Sequence, residues 1–506
     1  MADDKKIGGR DASTDSSATP ASTSSLYIVD ETMKNGGSNS AQPELVVPQR
    51  TDAYYRDLYK DRLDFRALAR DDPDLKAVLH NGQTLDFRDP AATRQLTITL
   101  LRRDFGLKME LPDDRLCPPV PNRLSYVVWI KSLIEDDGPA VGLDIGTGAS
   151  CIYPLLACAQ RPKWRFFATD IDVNSLKSAR DNVARNGLED RIHVVTQSPD
   201  DTLVYTDDDS SSSIDFTMCN PPFYASADEM TASAAAKKQP PHSACTGAPV
   251  EMVYETRDNN GEDSPGGEIA FVGRILEESA TVKNRVRWYT AMLGKLSSLN
   301  VLVGHLRTRG IDNYAIAAFV HGSKTRRWAL GWSYGVRRPT VEAARGGSDA
   351  SGLESYRHLL PPITEVDVLS VKREEKMDTA TLGTAINELM QGLALAAWDW
   401  DDKTLKGVGR ARENVWGRAW RRKKKREEKL AAEQGQAKPT QDTATVPLGP
   451  DEEPAFGFVV TVRLGVTETV IRCRWLEGHH EAIYQSFCGF LKDRVKEKIS
   501  PQLESN

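Results

Sequence analysis

Residues 140–150 read AVGLDIGTGAS, and this stretch decides the fold of the 506-residue chain. An apolar run ends near Asp144, a turn containing Gly146 and Gly148 follows, and the apolar residues after it predict a helix over 150–159. The two glycines let the backbone adopt positive φ angles and approach a ligand closely. The first amides of a helix lack partners within it, so they point at whatever binds there. The stretch therefore predicts a strand, a turn and a helix that together hold a nucleotide-like ligand.

A second apolar run, over 164–169, is followed by Asp170. An acidic residue at the end of the second strand suits the hydroxyl groups of a ribose. The glycine pattern is D-x-G-x-G rather than the G-x-G-x-x-G of dinucleotide-binding proteins. A shorter glycine turn suits a nucleoside without a pyrophosphate, which favours S-adenosylmethionine over NAD. We therefore predict a cofactor site that includes Asp144, Gly146, Gly148 and Asp170.

A third informative stretch is the apolar run over 214–219, which ends in Asn220-Pro221-Pro222-Phe223. Proline fixes its own φ angle and biases the preceding residue toward extended backbone. The side-chain oxygen of Asn220 and the carbonyl of Pro221 can therefore converge on one point, while Phe223 can stack on a flat ring. Such a frame fits the exocyclic amine of adenine or cytosine, or a side-chain amide. We predict that these four residues form the catalytic motif.

Apolar runs and helical patterns alternate along the middle of the chain. Such alternation is typical of a parallel sheet with helices on both faces. The predicted fold class is α/β: a Rossmann-like, seven-stranded class I methyltransferase domain with an N-terminal helical extension, plus a small C-terminal α+β domain. The predicted strands of the larger sheet are 140–145, 164–169, 191–196, 214–219, 286–293, 314–320 and 328–334.

Composition divides the chain further. Stretches rich in Ser, Gly, Pro or charge, without hydrophobic periodicity, are typical of linkers and disordered segments. The predicted organisation is a disordered leader over 1–48, a methyltransferase domain over 49–340 with a disordered insertion at 225–265, a linker over 341–362, and a second domain over 363–500 with a disordered insertion at 427–454.

The bulk composition limits the classes of site. The net charge of −6 does not by itself indicate nucleic-acid binding, although basic clusters stand near the predicted site. The 7 cysteines include no C-x-x-C pair and no zinc-type Cys/His spacing, so we expect reduced thiols and no metal. No apolar run reaches the length of a membrane span, so we expect no membrane partner.

With these motifs, the region from Tyr54 to Tyr334 resembles the methyltransferase-like 16 family of adenine-N6 RNA methyltransferases. The resemblance implies an S-adenosylmethionine-dependent enzyme that forms N6-methyladenosine in a structured RNA. The eukaryotic branch of the family acts on U6 small nuclear RNA, and a bacterial branch acts on large-subunit ribosomal RNA. The motifs that carry it are YKD (59–61), RDFGL (103–107), PNRL (121–124), the block over 144–154, NPPF (220–223), GGE (266–268), WY (288–289) with MLGK (292–295), and RWAL (327–330).

The resemblance also implies site residues. It places cofactor contacts at Arg123, Gly146, Asp170, Thr202 and Asn220. Arg123 would meet the methionine carboxylate, a planar pairing that arginine favours. The family loop before Thr202 carries a lysine that helps regulate cofactor access. This chain has Asp200-Asp201 there, and so departs from the pattern on which that regulation rests.

Basic residues near the pocket are the candidates for RNA contacts, because bonds to phosphates dominate affinity for nucleic acids. For any single basic cluster, a solvated strand end is an equal alternative. The candidates are Lys60, Arg287, Lys295, Lys324, Arg326 and Arg327, and the resemblance itself implies Lys295, Lys324 and Arg327.

The strongest basic run is RRKKKR over 421–426. We interpret it as a nuclear localisation signal, an RNA-binding helix end, or both, with a solvated helix face as the alternative. On this basis we expect a nuclear protein. The C-terminal region resembles the RNA-binding region of the eukaryotic branch by pattern alone, and we interpret it as an RNA-affinity domain.

Other functions fit part of the pattern. Asn-Pro-Pro-aromatic motifs also serve enzymes that methylate a glutamine of release factors, and some DNA adenine methyltransferases. Ribosomal RNA is the alternative substrate within the family. A non-catalytic RNA-binding scaffold is a further alternative, which a broken glycine turn or a broken Asn220–Phe223 motif would favour, and both are intact.

Overall fold

The computed structural model describes residues 50–206, 213–235, 247–257, 263–264, 266–321, 325–346, 353–372, 379–433, 447–449 and 452–503, so the predicted leader over 1–48 lies outside it. The helices are α1 (Asp52–Asp57), α2 (Phe65–Asp71), α3 (Pro73–Val78), α4 (Pro90–Phe105), α5 (Val120–Ile134), α6 (Ile152–Gln160), α7 (Val173–Arg185), α8 (Ala227–Ala235), α9 (Pro249–Met252), α10 (Gly267–Val282), α11 (Leu296–Thr308), α12 (Val341–Arg345), α13 (Thr379–Gln391), α14 (Arg418–Glu433) and α15 (Glu481–Leu503). The strands of the two larger sheets are β1 (Ala140–Ile145), β2 (Trp164–Asp170), β3 (Ile192–Thr196), β4 (Ile214–Cys219), β5 (Val286–Leu293), β6 (Tyr314–His321), β7 (Thr325–Trp332), β8 (Glu365–Lys372), β9 (Ala397–Asp401), β10 (Lys406–Ala411), β11 (Phe456–Leu464) and β12 (Glu468–Glu477).

The larger sheet has seven strands in the order β3-β2-β1-β4-β5-β7-β6. The first five strands are parallel, and β7 runs antiparallel to both of its neighbours. The predicted α/β class and seven-stranded sheet are therefore confirmed. In such sheets, ligands bind outside the carboxyl ends of the strands where the strand order reverses, which is between β1 and β4.

The N-terminal helical extension is attached to this sheet through α5, against which α1 and α4 pack. Lys131 on α5 is buried, and its Nζ donates to Asp52 at 2.8 Å and to Gln160 at 2.6 Å. Burial lowers the pKa of Lys131 to about 8, although Asp52 opposes the shift. Since a buried ammonium needs such partners, this cluster fixes α1 to the body of the domain.

Gly142 in β1 lies between two buried aromatic rings. A Cβ atom on Gly142 would stand 2.5 Å from Phe166 and 2.7 Å from Phe216. Gly142→Ala is therefore expected to lower the free energy of unfolding by about 1–3 kcal/mol, because overpacking forces buried groups apart. Gly273→Ala on α10 is the matched control. No atom lies within 4 Å of a Cβ there, and alanine favours a helix over glycine by about 0.5–1 kcal/mol. Thermal unfolding should show a lower Tm for the first variant only, and equal shifts would contradict the packing.

The C-terminal part forms a five-stranded, fully antiparallel sheet in the order β8-β12-β11-β10-β9. Helices α13 and α15 pack on each other and against this sheet. Its core includes the buried rings of Phe456, Phe458, Trp475 and Phe487. The predicted small α+β domain is therefore confirmed.

Two arginine contacts, one buried and one partly buried, join the C-terminal sheet to the methyltransferase domain. Nε of Arg338 donates to the Gly478 carbonyl at 2.9 Å, and its guanidinium lies 4.0 Å from the centre of the Trp475 ring. Arg474 on β12 donates to both carboxylate oxygens of Glu135, which ends α5, at 2.6 and 2.8 Å. Charge-assisted bonds of this kind position the two sheets relative to each other.

Three segments predicted to lack structure are partly structured. In the linker over 341–362, α12 forms, and the buried Tyr356 packs edge-on against Trp328 with ring centres 4.7 Å apart. The insertion at 225–265 contains α8 and α9, and the one at 427–454 begins with the last turns of α14. The polar composition of these segments does not predict the elements. The contacts that order them come from distant parts of the chain. Among the described residues, no helix combines the length and apolarity that a membrane crossing requires.

Candidate active site

The glycine turn after β1 forms one wall of a cavity at the carboxyl edge of the sheet. Gly146 and Gly148 have φ angles of 72° and 63°, the left-handed region that only glycine enters at little cost. The amides of Gly146 and Thr147 both donate to the Thr169 carbonyl at 2.9 Å. The Gly148 amide donates to Asp170 Oδ2 at 2.8 Å. The turn is thus held against the end of β2, with open space above Gly146 for a ligand.

Several predicted residues share this cavity. Asp170 sits at its side, and burial raises the pKa of its carboxyl group. Asp144 instead lies beneath the turn, fully buried, where its Oδ2 accepts a bond from the Thr147 hydroxyl at 2.7 Å. The predicted residues that line the cavity are Arg123, Gly146, Gly148, Asp170, Asn220 and Pro222.

Burial raises the pKa of Asp144 from 3.8 to about 7. Between these values the folded state holds a proton that the unfolded state releases, so the stability contributed at Asp144 falls as the pH rises through this window. Asp144→Asn removes the titration and keeps the shape. We expect the ligand-free variant to lose less Tm than the wild type between pH 5 and pH 7.5, measured by calorimetry. An unchanged pH slope would contradict the buried, protonated carboxyl group.

Arg123 lies on α5 with its guanidinium almost wholly buried beside the cavity. Its Nη1 donates to the Tyr153 hydroxyl at 2.8 Å and to Met292 Sδ at 3.4 Å. Its Nε has no hydrogen-bond partner among the described residues. A buried guanidinium with donors to spare is suited to a carboxylate ligand, which it can bind in a planar, bidentate manner.

The Asn220–Phe223 motif follows β4 on the other side of the turn. The Oδ1 atom of Asn220 is buried and has no hydrogen-bond partner among the described residues. Pro221 is buried, and Pro222 lines the cavity. A buried acceptor left unpaired costs about 1–3 kcal/mol, so its place in the fold calls for a ligand that donates to it.

Phe223 lies beyond the cavity, where basic residues approach it. The Arg327 guanidinium is 5.7 Å from the centre of the Phe223 ring, and burial lowers its pKa. A Cβ on Gly294 would stand 3.1 Å from the same ring, so glycine leaves room beside it. Next along the chain, Lys295 is half-exposed and its Nζ lies 3.5 Å from Glu229.

The remaining candidates for RNA contacts are spread more widely. Arg326 is exposed at the start of β7, and Lys60 is exposed and paired with Asp57 at 2.6 Å. Arg287 is the second residue of β5, at the amino edge of the sheet and away from the cavity. Its guanidinium donates to the Ile134 carbonyl at 3.0 Å. The structure therefore does not bring Arg287 to the pocket. Lys324 lies outside the described residues.

Thr202 also falls outside the cavity wall. It is exposed, and its carbonyl accepts a bond from Gln197 Nε2 at 2.8 Å. Its neighbours Asp201 and Leu203 line the cavity instead. A loop residue can be assigned to a site from a motif, but which neighbour points inward depends on the loop conformation.

The wall also contains polar residues that were not predicted from the sequence, among them Glu251 on α9, Tyr254 after it, and Arg274 on α10. Arg274 donates to the Tyr254 hydroxyl and to the Pro199 carbonyl, both at 3.4 Å. Glu251 and Tyr254 lie in the insertion read as structureless, so no periodic pattern marked them. Within the described parts of the chain, no three His, Cys, Asp or Glu side chains converge as a metal ion would require.

The chain resembles known proteins in both sequence and structure. A family model described as RNA methyltransferase matches residues 49–335. The mouse protein RNA N(6)-adenosine-methyltransferase METTL16 is 40% identical over 364 residues, which cover 69% of this chain and 62% of the mouse protein. The Schizosaccharomyces pombe protein U6 small nuclear RNA (adenine-(43)-N(6))-methyltransferase is 33% identical over 423 residues, which cover 82% of this chain and 96% of that protein. A crystal structure of the hMettl16 catalytic domain in complex with MAT2A 3'UTR hairpin 1 is 42% identical, with a TM-score of 0.48, and covers 54% of this chain and 92% of that chain. The chain thus spans less than two thirds of the mouse relative's length.

Proposed function

The chain belongs to the RNA methyltransferase family whose model matches residues 49–335, and from this premise we propose that it methylates the N6 atom of an adenosine in a structured RNA. We propose U6 small nuclear RNA as the substrate, because the fission yeast relative, aligned over 96% of its length, is named for that reaction. The observation that carries the proposal is the buried Oδ1 atom of Asn220 beside the glycine turn, which has no hydrogen-bond partner in the described part of the chain.

The residues of the cavity fit S-adenosylmethionine, which supplies an electrophilic methyl group when bound. Arg123 Nε, which pairs with no described residue, suits the methionine carboxylate, and Asp170 has lone pairs for the ribose hydroxyls. Gly146 and Gly148 have no side chain, and no described atom lies within 4 Å of a Cβ position on Gly146, so the turn leaves room for the donor. These residues bind and orient the methyl donor, and the shape and charge of the wall decide which donor fits.

The catalytic motif acts on the nucleophile. The lone pair of the adenine N6 atom is delocalised into the ring, which makes the nitrogen a poor nucleophile. Asn220 Oδ1 and the Pro221 carbonyl accept its two hydrogens, which draws the nitrogen toward tetrahedral geometry and directs its lone pair at the methyl donor. The nitrogen takes the methyl group as the carbon–sulfur bond of the donor breaks and its electron pair leaves on sulfur. The nitrogen then loses a proton to solvent, so no strong base is required. Positioning of this kind supplies up to about 7–11 kcal/mol of the barrier reduction.

The RNA must present an unpaired adenosine to reach this motif. Enzymes that act on a base remove it from its stack, and an aromatic side chain then replaces the lost stacking. We infer that Phe223 stacks on the base, and that Arg327, 5.7 Å from the centre of its ring, and Lys295 contact the phosphates. Sequence-specific recognition of RNA mostly targets such unpaired bases, and phosphate contacts make the affinity depend on salt.

A comparison of acceptors tests this function against the alternatives. Purified protein is incubated with labelled S-adenosylmethionine and, in separate reactions, U6 small nuclear RNA, large-subunit ribosomal RNA, adenine-containing DNA or a release factor. We expect label in U6 RNA as N6-methyladenosine. Label mainly in ribosomal RNA, DNA or protein would reassign the substrate. RNA binding without any transfer would support the scaffold instead.

We also propose nuclear import through the basic run over 421–426, whose side chains are all exposed on α14. The helix is anchored because the ring of Trp416, just before it, is buried 4.9 Å from that of Phe487. A fluorescent fusion of the full chain is expected in the nucleus. Replacing the six basic residues by serine should move the fusion to the cytoplasm, while the exposed Lys429→Ser serves as the control. A nuclear signal from both would contradict the assignment.

A further inference from the structure

A short segment of the insertion, residues 247–254, contributes to the wall of the cofactor cavity, and we call it the strap. Its residues Val250, Glu251, Val253 and Tyr254 form part of the cavity wall. One edge of the strap is attached to the catalytic motif through backbone bonds. The Tyr224 amide donates to the Met252 carbonyl, and the Tyr254 amide donates to the Tyr224 carbonyl, both at 3.0 Å.

The other edge of the strap is attached by one side chain. Glu251 Oε2 accepts a bond from the Leu116 amide at 3.0 Å and from the Ala248 amide at 2.8 Å. Leu116 precedes α5 and lines the cavity from the opposite side. The second oxygen, Oε1, lies 3.7 Å from the position of a Cβ on Gly148 in the glycine turn. The Glu251 carboxylate therefore joins the strap to the opposite wall, directly over the turn.

We propose that Glu251 is a positioning residue that holds the strap closed over the bound cofactor. The proposal rests on the function above only in taking S-adenosylmethionine as that cofactor. When both bonds are made, the strap covers the side of the cavity between Leu116 and the glycine turn. When they are absent, that side opens and the cofactor leaves faster. The mechanism of methyl transfer itself does not use Glu251.

The bonds, rather than the negative charge, are what this role requires. One oxygen accepts both amides, so a glutamine can reproduce the two bonds with its carbonyl oxygen. Burial raises the pKa of the Glu251 carboxyl group, although the two amides and Arg115 oppose the shift. An uncharged side chain of the same length is therefore compatible with the site.

Two substitutions of Glu251 separate the effect of side-chain length from the effect of the negative charge. Glu251→Gln keeps the length and removes the charge, whereas Glu251→Asp keeps the charge and is too short to bond both amides. Calorimetry should give Glu251→Gln a Kd for S-adenosylmethionine within about twofold of the wild type. Glu251→Asp should raise this Kd at least about tenfold, because it leaves one of the two amides without its acceptor. The rate constant for cofactor release should rise in proportion, and kcat at saturating cofactor should change less than threefold.

Hydrogen exchange measures the two bonds to Glu251 without any cofactor. The Leu116 and Ala248 amides should exchange faster in Glu251→Asp than in the wild type or in Glu251→Gln. Glu255→Ala, which removes an exposed carboxylate beyond the strap, is the control and should match the wild type in each assay. The proposed role of Glu251 would be overturned if Glu251→Asp bound S-adenosylmethionine as tightly as the wild type. It would also be overturned if Glu251→Asp and Glu251→Gln lost affinity equally. A wild-type protein that binds no S-adenosylmethionine would instead overturn the proposed function.

Discussion

Asn220→Ala is expected to slow methyl transfer at least about a hundredfold, since removing one preorganised polar contact to a reacting group costs that much or more. The buried Oδ1 atom has no other hydrogen-bond partner among the described residues, so it is available to the substrate amine. The affinity for S-adenosylmethionine should change much less, because Arg123 and Asp170 remain in place. Single-turnover transfer to RNA measures the rate, and calorimetry measures the affinity.

Asn220→Asp is the matched variant for this experiment. It keeps an acceptor oxygen at the same distance from the backbone, and so it should retain more activity than Asn220→Ala. The added charge weakens it relative to the wild type, because a buried carboxylate is costly to ionise. Equal rates for Asn220→Ala and the wild type would refute the role of the acceptor. An equal loss of affinity for S-adenosylmethionine in Asn220→Ala and Asn220→Asp would indicate that Asn220 binds the cofactor rather than the substrate amine.

Arg123→Ala is expected to raise the Kd for S-adenosylmethionine roughly ten- to a hundredfold. A hydrogen bond to a charged group contributes about 1.5–3 kcal/mol, and each 1.4 kcal/mol corresponds to a factor of ten in Kd. Arg123 is buried and its Nε has no hydrogen-bond partner among the described residues, so it is available to a bound carboxylate. Arg123→Lys keeps the charge but loses the planar pairing, so its Kd for S-adenosylmethionine should lie between those of the wild type and Arg123→Ala.

A smaller ligand provides the control for Arg123. Methylthioadenosine lacks the amino acid part of S-adenosylmethionine, so Arg123 has no carboxylate to bind in it. Its Kd should be nearly the same for the wild type and Arg123→Ala. If both ligands weaken equally, the substitution has damaged the pocket as a whole. If neither weakens, Arg123 does not bind the methionine carboxylate.

The parts of this fold that sequence predicted well are those whose signals are local. The glycine turn over 144–148 and the Asn220–Phe223 motif each consist of consecutive residues. The structure gives Gly146 and Gly148 the positive φ angles that the turn requires. The seven strands were also predictable, because each buried strand is a continuous apolar run. Their boundaries agree within a few residues, with β7 shifted toward its N-terminus.

The parts that sequence could not predict depend on contacts between distant residues. Glu251 became a wall residue only because its carboxylate reaches the Leu116 amide across the cavity. Tyr356 lies in a Gly/Ser-rich stretch, and its order comes from packing on Trp328. Arg287 looked like its basic neighbours, but the direction of β5 puts it at the far edge of the sheet. Topology, rather than local composition, decided each of these cases.

The most direct test of the central claim is single-turnover methyl transfer to U6 small nuclear RNA, with the product nucleosides identified by mass spectrometry. Wild-type protein and Asn220→Ala are compared at equal, saturating S-adenosylmethionine. We predict N6-methyladenosine, at one position, with the wild type and at least about a hundredfold less per unit time with the variant. A methyl group on another atom, or equal yields from both proteins, would contradict the account.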